Sequence, residues 1–220
     1  PALMREDPDG SYGNVGMRDQ VFALQWTNKN IGNFGGDTTR ITIFGESAGA
    51  ISVCWHLGSP TSAGLFSGAI MESGSCDLGD IMFIDGPEAL KMGDVFASSV
   101  GCNSTKLGSD AAWLKCMRGK RVEDIMLSLP KFLLPQWKAK GLPSLAPFMA
   151  FIPAVDGTDV GMPALPLDSI RKGKFNKVPT IIGSNMDEGT LLGLDPFIGG
   201  GFAFGVNAKT LNQSIAHFFG

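Results

Sequence analysis

Arg40-Ile41-Thr42-Ile43-Phe44-Gly45-Glu46-Ser47-Ala48-Gly49-Ala50 is a β-branched run that stops at Gly-x-Ser-x-Gly and continues into small helix formers. A strand, a sharp turn and a helix in that order form a nucleophile elbow. The serine there sits in a strained backbone conformation, and glycines at Gly45 and Gly49 stand where a Cβ is expected to collide with neighbouring backbone. Ser47 is thereby presented outward, and the helix that follows aims its unpaired N–H groups and positive dipole end at the space beside the hydroxyl. Such a site stabilises an oxyanion, which points to acyl transfer at an ester or amide carbonyl. The bland alternative is a turn with no chemistry; the strand before the motif and the helical pattern after it argue against that.

Working outward, apolar residues at 17, 21, 24 and 31 follow the helical period over Met17 to Ile31, and Gly35-Gly36 close the connection into a strand at 40 to 44. A helix over roughly 48 to 57, a buried strand at Ala69-Ile70-Met71 and a third strand at Val178 to Ile182, with Pro179 at its beginning, continue the alternation of a parallel sheet. Residues 86 to 150 read as short helices: Pro87 to Val100 ending at Gly101, then Ala111 to Arg118 with Asp110 as N-cap. The expected class is α/β.

The chain has 220 residues, 44% of them hydrophobic, and a formal charge of −3, enough to bury a sizeable core. No apolar run approaches the roughly 20 uncharged residues of a membrane span, and no basic cluster suggests nucleic acid or an anionic membrane surface. The chain opens at Pro1 with no signal-like region and closes at Gly220 in an apolar stretch, which reads as an internal fragment.

Gly13-Asn14-Val15-Gly16-Met17-Arg18-Asp19-Gln20, Ala23-Leu24-Gln25-Trp26, Asn30 to Asp37 and Ile41 to Ala50 resemble consecutive signatures of the type-B carboxylesterase/cholinesterase family. Further matches are Ser73-Gly74-Ser75, Pro153-Ala154-Val155-Asp156-Gly157 and Asp187-Glu188-Gly189. The resemblance spans about residues 11 to 192. It implies an α/β-hydrolase fold, with this chain as the central part of one catalytic domain, residues 86 to 150 as a helical insertion within it, and a Ser-Glu-His esterase mechanism. Members of that family are more than twice this long, so both flanks are expected to be missing.

The elbow needs a base and an acid to orient it. His56 lies nine residues beyond Ser47 on the same helix, about 13 Å along the axis at ~1.5 Å per residue, so it is expected to be a hydrogen-bonded histidine at the helix end. His217 follows the candidate acid in the chain order this fold uses, yet no family motif accompanies it, so the general base is expected outside this stretch. For the acid, the third strand runs into Gly183 to Gly189, and strand C-terminal ends are where α/β sheets place functional groups. By resemblance Glu188 is the triad carboxylate, with Asp187 the neighbouring alternative. Asp156 in Val-Asp-Gly reads as a turn residue.

Glu46 has two readings, an electrostatic group beside the nucleophile or a buried carboxylate that orders the elbow. The oxyanion hole draws on the N–H of Ala48 and on a glycine-rich loop that should lie upstream. Ile198-Gly199-Gly200-Gly201-Phe202 mimics that loop but follows both Ser47 and Glu188, so it is read as an unrelated loop. Lacking a base and half the hole, the stretch alone is expected to be inactive.

Of the four cysteines none belongs to a Cys/His cluster with zinc spacing. The contexts Gly101-Cys102 and Cys116-Met117-Arg118 resemble the family's small disulfide loop, which implies a Cys102–Cys116 bridge and leaves Cys54 and Cys76 free or packed. Asn103-Ser104-Thr105 and Asn212-Gln213-Ser214 are glycosylation sequons, and with the disulfide they favour a secreted or luminal protein. The expected partner is a small carboxylic ester, and no metal or organic cofactor is implied. Cholinesterases carry an aromatic residue shortly after the Ser-Gly-Ser strand end, whereas Cys76 to Asp80 contains none, which argues against choline esters. Phe148, Met149 and Phe151 lie where the family often lines its acyl pocket; core packing is an equal reading. The rival function is a catalytically silent relative used for adhesion or binding.

Overall fold

A computed structural model describes residues 2–78, 83–128 and 151–188. Two units are distinguished among the described residues: one holds 3–78, 83–86 and 153–185, the other Ala2 with 87–128, 151–152 and 186–188.

In the first unit, helix α2 (Val15–Asn30) follows the short helix α1 (Ala2–Glu6) and passes into a 3-10 turn at Ile31–Phe34. A second 3-10 turn, Thr38–Arg40, is capped by Asp37, whose carboxylate accepts from the N–H of Thr39. It delivers the chain into strand β1 (Thr42–Glu46), whose β-branched and aromatic start suits a pleated surface. The strand begins two residues later than the sequence pattern suggests and runs into the Gly-x-Ser motif itself.

Helix α3 (Ala48–Gly58) leaves directly from Ser47, and strand β2 (Gly68–Glu72) returns beside β1. Strand β5 (Thr180–Gly183) pairs on the other side of β2. The order is β1-β2-β5, and both pairings are parallel. Pro179 stands just before β5, where its carbonyl accepts the N–H of Ala69 and its missing donor costs nothing. Two further strands, β3 (Ile84–Asp85) and β4 (Ala154–Val155), pair in parallel where the chain leaves this unit and where it comes back.

The packing follows from the register. Ala69 and Met71 point toward α3 and are buried with Ala50, Val53, Cys54 and Leu57; Ile43, Val178 and, from the helix Pro166–Arg171, Leu167 and Ile170 are among the partly buried residues packed against them. Phe44, Ile70 and Ile181 occupy one cross-strand row of the opposite face, on which Phe44 and Ile181 are exposed. Helix α3 is buried almost all round, Trp55 and His56 included, which is why its sequence is apolar at nearly every position from Ala50 to Leu57.

In the second unit the helix Gly86–Ser99 ends before Gly101, which adopts φ 81°. The helix Asp110–Arg118 is capped by Ser109, whose hydroxyl accepts from the N–H of Ala112; the expected cap, Asp110, is instead the first helical residue, placed to meet the positive end of the dipole. Ala97, Cys102 and Trp113 are buried together there.

All four cysteines are paired. Cys102 is bonded to Cys116, with Cα atoms 5.8 Å apart. Cys54 and Cys76, expected free or packed, are bonded to each other with Cα atoms 5.4 Å apart. The correction has a tertiary cause: Cys54 is on the face of α3 that packs on β2, and Cys76 follows the turn that ends β2, a proximity that sequence spacing alone does not convey.

Candidate active site

Ser47 is exposed at the junction of β1 and α3, with φ 53° and ψ −116°. A positive φ is uncommon outside glycine and persists only where the surroundings hold it. Here they do so on both sides. The N–H of Ser47 donates to the carbonyl of Glu72 at 2.9 Å, and its own carbonyl accepts the N–H of Ile51 at 3.1 Å, the bond that opens α3. The side chain makes no cap bond to α3, although serine is a favoured N-cap, so the hydroxyl is not spent on the helix. Ala48, also exposed, follows as the first residue of α3, where N–H groups lack an intrahelical acceptor.

Gly45 and Gly49 differ in what they contribute. A Cβ on Gly45 would overlap the backbone of Gly49 and lie 2.7 Å from its Cα, whereas a Cβ on Gly49 would meet nothing within 4 Å. The collision expected at both glycines is therefore found only at Gly45, because the elbow folds position 49 back over position 45 and leaves position 49 itself facing open space among the described residues.

Glu46 pairs in register with Glu72 at the C-terminal ends of β1 and β2, and both are exposed. The reading of Glu46 as a buried carboxylate that orders the elbow is thereby corrected; the last residue of the strand looks outward beside Ser47. The turn after β2 holds a second positive-φ serine, Ser73 at 53°, whose N–H donates to the carbonyl of Gly183 at 2.8 Å and whose hydroxyl accepts from Asn185 Nδ2 at 3.4 Å.

His56 serves elsewhere. Its side chain is buried, with Nδ1 2.8 Å from Ser62 Oγ and Nε2 3.0 Å from Gln20 Oε1. Burial depresses its pKa to about 4, so the ring is neutral and both nitrogens are engaged. Asp187 and Glu188 follow β5 by four and five residues, Glu188 half-buried and Asp187 exposed. His217, Asn212 and the glycine-rich stretch 198–202 lie outside the described residues, as do Phe148 and Met149. Phe151 is described: it is 64% exposed and meets Phe96 edge-on at 5.1 Å. Asn103 caps the short helix Ser104–Leu107, accepting from the N–H of Lys106 while Nδ2 donates to Ser98 Oγ.

Asp156 does more than close a turn. Its carboxylate accepts from Ser11 Oγ, Asn14 Nδ2, the N–H and hydroxyl of Thr158 and the N–H of Met162. Asn14, itself at φ 55°, pairs its side-chain amide with both main-chain groups of Ala154 at 2.8 Å. The motifs near residues 13 and 155 are thus two halves of one polar clamp, which sequence separation conceals. Among the described residues no group of His, Cys, Asp and Glu has the arrangement of a metal site.

A family profile described as the Carboxylesterase family matches residues 4–196. The chain belongs to the carboxylesterase family. Among its relatives, the Crystal protein of Dictyostelium discoideum is 40% identical over 179 residues, which cover 81% of this chain and 30% of that protein. An acetylcholinesterase of Leptinotarsa decemlineata is 34% identical over 195 residues, covering 86% of this chain and 28% of that protein. Carboxylesterase 5A of Felis catus is 40% identical over 176 residues, covering 80% and 28%. The chain therefore spans less than a third of the length of these three relatives. The parallel β1-β2-β5 sheet with its helices accords with an α/β-hydrolase fold.

Proposed function

We propose that this protein is a carboxylic ester hydrolase that works through an acyl-enzyme on Ser47. The observation that carries the reading is the strained, exposed serine at φ 53° between a strand and the N-terminus of α3, its backbone held and its hydroxyl left uncommitted by the helix. In this reading Ser47 Oγ attacks the ester carbonyl and forms a bond to carbon as its proton passes to a base. The carbonyl oxygen becomes an oxyanion that takes the N–H of Ala48, the helix dipole lowering its energy further. The alcohol leaves with a proton, and water then cleaves the acyl-enzyme by the same steps in reverse order. Glu188 is the carboxylate proposed to orient the base, and the base itself is proposed to come from outside the described residues. Glu46 contributes a negative charge beside the reaction, suited to stabilising an imidazolium.

Two disulfides support an oxidising location, secreted or luminal, and Asn103 is proposed as a glycosylation site there. No described helix is long and apolar enough to cross a membrane.

One observation favours a second reading, a binding protein that has lost turnover: the described histidine, His56, is committed to Ser62 and Gln20. A fluorophosphonate probe separates the two. In protein expressed from the complete reading frame, the probe should label the peptide containing Gly45 to Gly49, and Ser47→Ala should abolish both labelling and ester hydrolysis. Wild-type hydrolysis by Ser47→Ala, or label on another serine, overturns the esterase mechanism proposed here.

A further inference from the structure

The turn that follows β2 comes closer to the elbow than any side chain allows. A methyl group on Gly74 would lie 2.9 Å from the carbonyl oxygen of Ser47 and 2.9 Å from Ala50 Cβ. Gly74 has no positive φ, so proximity and not backbone conformation is what demands a glycine. None of the parties is free to retreat. Ser73, just before it, is tied to Gly183 through its N–H. Cys76, two residues after it, is bonded to Cys54 on α3. Ala50 is fully buried in the core between α3 and the sheet. The strain caused by a larger residue would therefore reach the Ser47 carbonyl, whose tie on the helix side is the 3.1 Å bond from the N–H of Ile51.

That carbonyl is one end of a rigid plane. The peptide joining Ser47 to Ala48 is planar, so pushing its oxygen tilts the N–H of Ala48 at the other edge. We infer that Gly74 is a positioning residue: by leaving room for the Ser47 carbonyl it sets the tilt of the Ser47–Ala48 peptide and hence the aim of the Ala48 N–H. The inference rests on the reading of Ser47 as nucleophile. It adds a determinant that lies 27 residues from Ser47 and acts through the Ser47–Ala48 peptide.

Loss of an oxyanion donor typically costs about 10²–10³ in rate, and a misdirected donor should cost less. In protein expressed from the complete reading frame, Gly74→Ala should lower kcat for p-nitrophenyl acetate about 10- to 100-fold and leave KM within about twofold, the pattern of an interaction made only in the transition state. The double variant Gly74→Ala, Ala50→Gly moves the methyl across the contact and conserves its volume, which favours folding. Its kcat should lie between the single variant and wild type. Glycine in a helix is itself destabilising, so recovery of kcat there reports relief of the contact and not of stability. Wild-type kcat in the single variant, or no recovery in a folded double variant, overturns the inference. If the single variant does not fold, the double decides alone: a severalfold lower kcat at unchanged KM supports the role and a wild-type kcat overturns it. Ser47→Ala run alongside keeps the two readings apart: its inactivity with a fully active Gly74→Ala removes only the positioning role, whereas full activity of Ser47→Ala removes both.

Discussion

The N–H of Ser47 donates to the carbonyl of Glu72 at 2.9 Å, so the candidate nucleophile is also the last rung of the β1–β2 ladder. This explains how a serine is kept at a φ of 53°. The strain is local and the restraint is tertiary: β2, the helix-opening bond to Ile51 and the close approach of Gly74 hold the residue from three directions.

The two motif glycines should respond differently to alanine. Gly45→Ala forces a methyl into the backbone of Gly49 and should destabilise the protein by about 1–3 kcal/mol or more while sharply reducing probe labelling of Ser47. Gly49→Ala meets open space on a helix, where alanine is the better former, and should change stability by less than about 1 kcal/mol. Denaturant melts of both variants check this, and equal losses would show that the elbow is not folded as described.

His56 predicts a pH dependence of stability. Its folded pKa of about 4 lies below the ordinary 6.5 because burial disfavours the charged ring. The unfolded chain takes up that proton first as pH falls. The contribution is thus fully present above pH about 6.5, declines between about 6.5 and 4, and is gone below, with a size on the order of 3 kcal/mol. Unfolding free energies measured across that range should show the decline, and His56→Gln should flatten it.

Non-reducing peptide mapping should find Cys54 joined to Cys76 and Cys102 to Cys116. The pairs are 22 and 14 residues apart in sequence, so chain-entropy reasoning gives each roughly 3 kcal/mol. Replacing both members of either pair with serine should lower the melting temperature. Losing the Cys54–Cys76 pair should also slow labelling of Ser47, since it loosens α3 from the turn that carries Gly74.

Asp156→Ala strands donors from Ser11, Asn14, Thr158 and Met162 at once. Hydrogen bonds to a charged group contribute about 1.5–3 kcal/mol each when a partner is deleted, so a loss of at least about 2 kcal/mol is expected. Although burial opposes it, the hydrogen bonds from Ser11, Met162 and Thr158 hold the carboxyl below the usual aspartate value. This part of the stability is accordingly present above pH 3.8 and lost as the pH falls below it. Denaturant unfolding of the variant at neutral pH checks the magnitude.

Sequence by itself carried the strand-elbow-helix unit, because Ile41 to Ala50 fixes its conformation through local sterics: β-branched residues, a glycine where a backbone passes, then helix formers. The same local logic placed α2, β2 and β5 to within two residues, and His56 too far along α3 to reach Ser47. What tertiary structure decided are relations between segments distant in the chain. The Cys54–Cys76 bond depends on α3 lying over β2, and the clamp of Ser11, Asn14 and Asp156 joins residues about 140 positions apart. Gly74 reads in the sequence as one glycine among 30, and only the 2.9 Å left between its missing side chain and the Ser47 carbonyl gives it a role. Periodicity and turn chemistry act over a few residues and are written in residue order; close approach is set by how strands register and helices pack, which no short stretch of sequence contains.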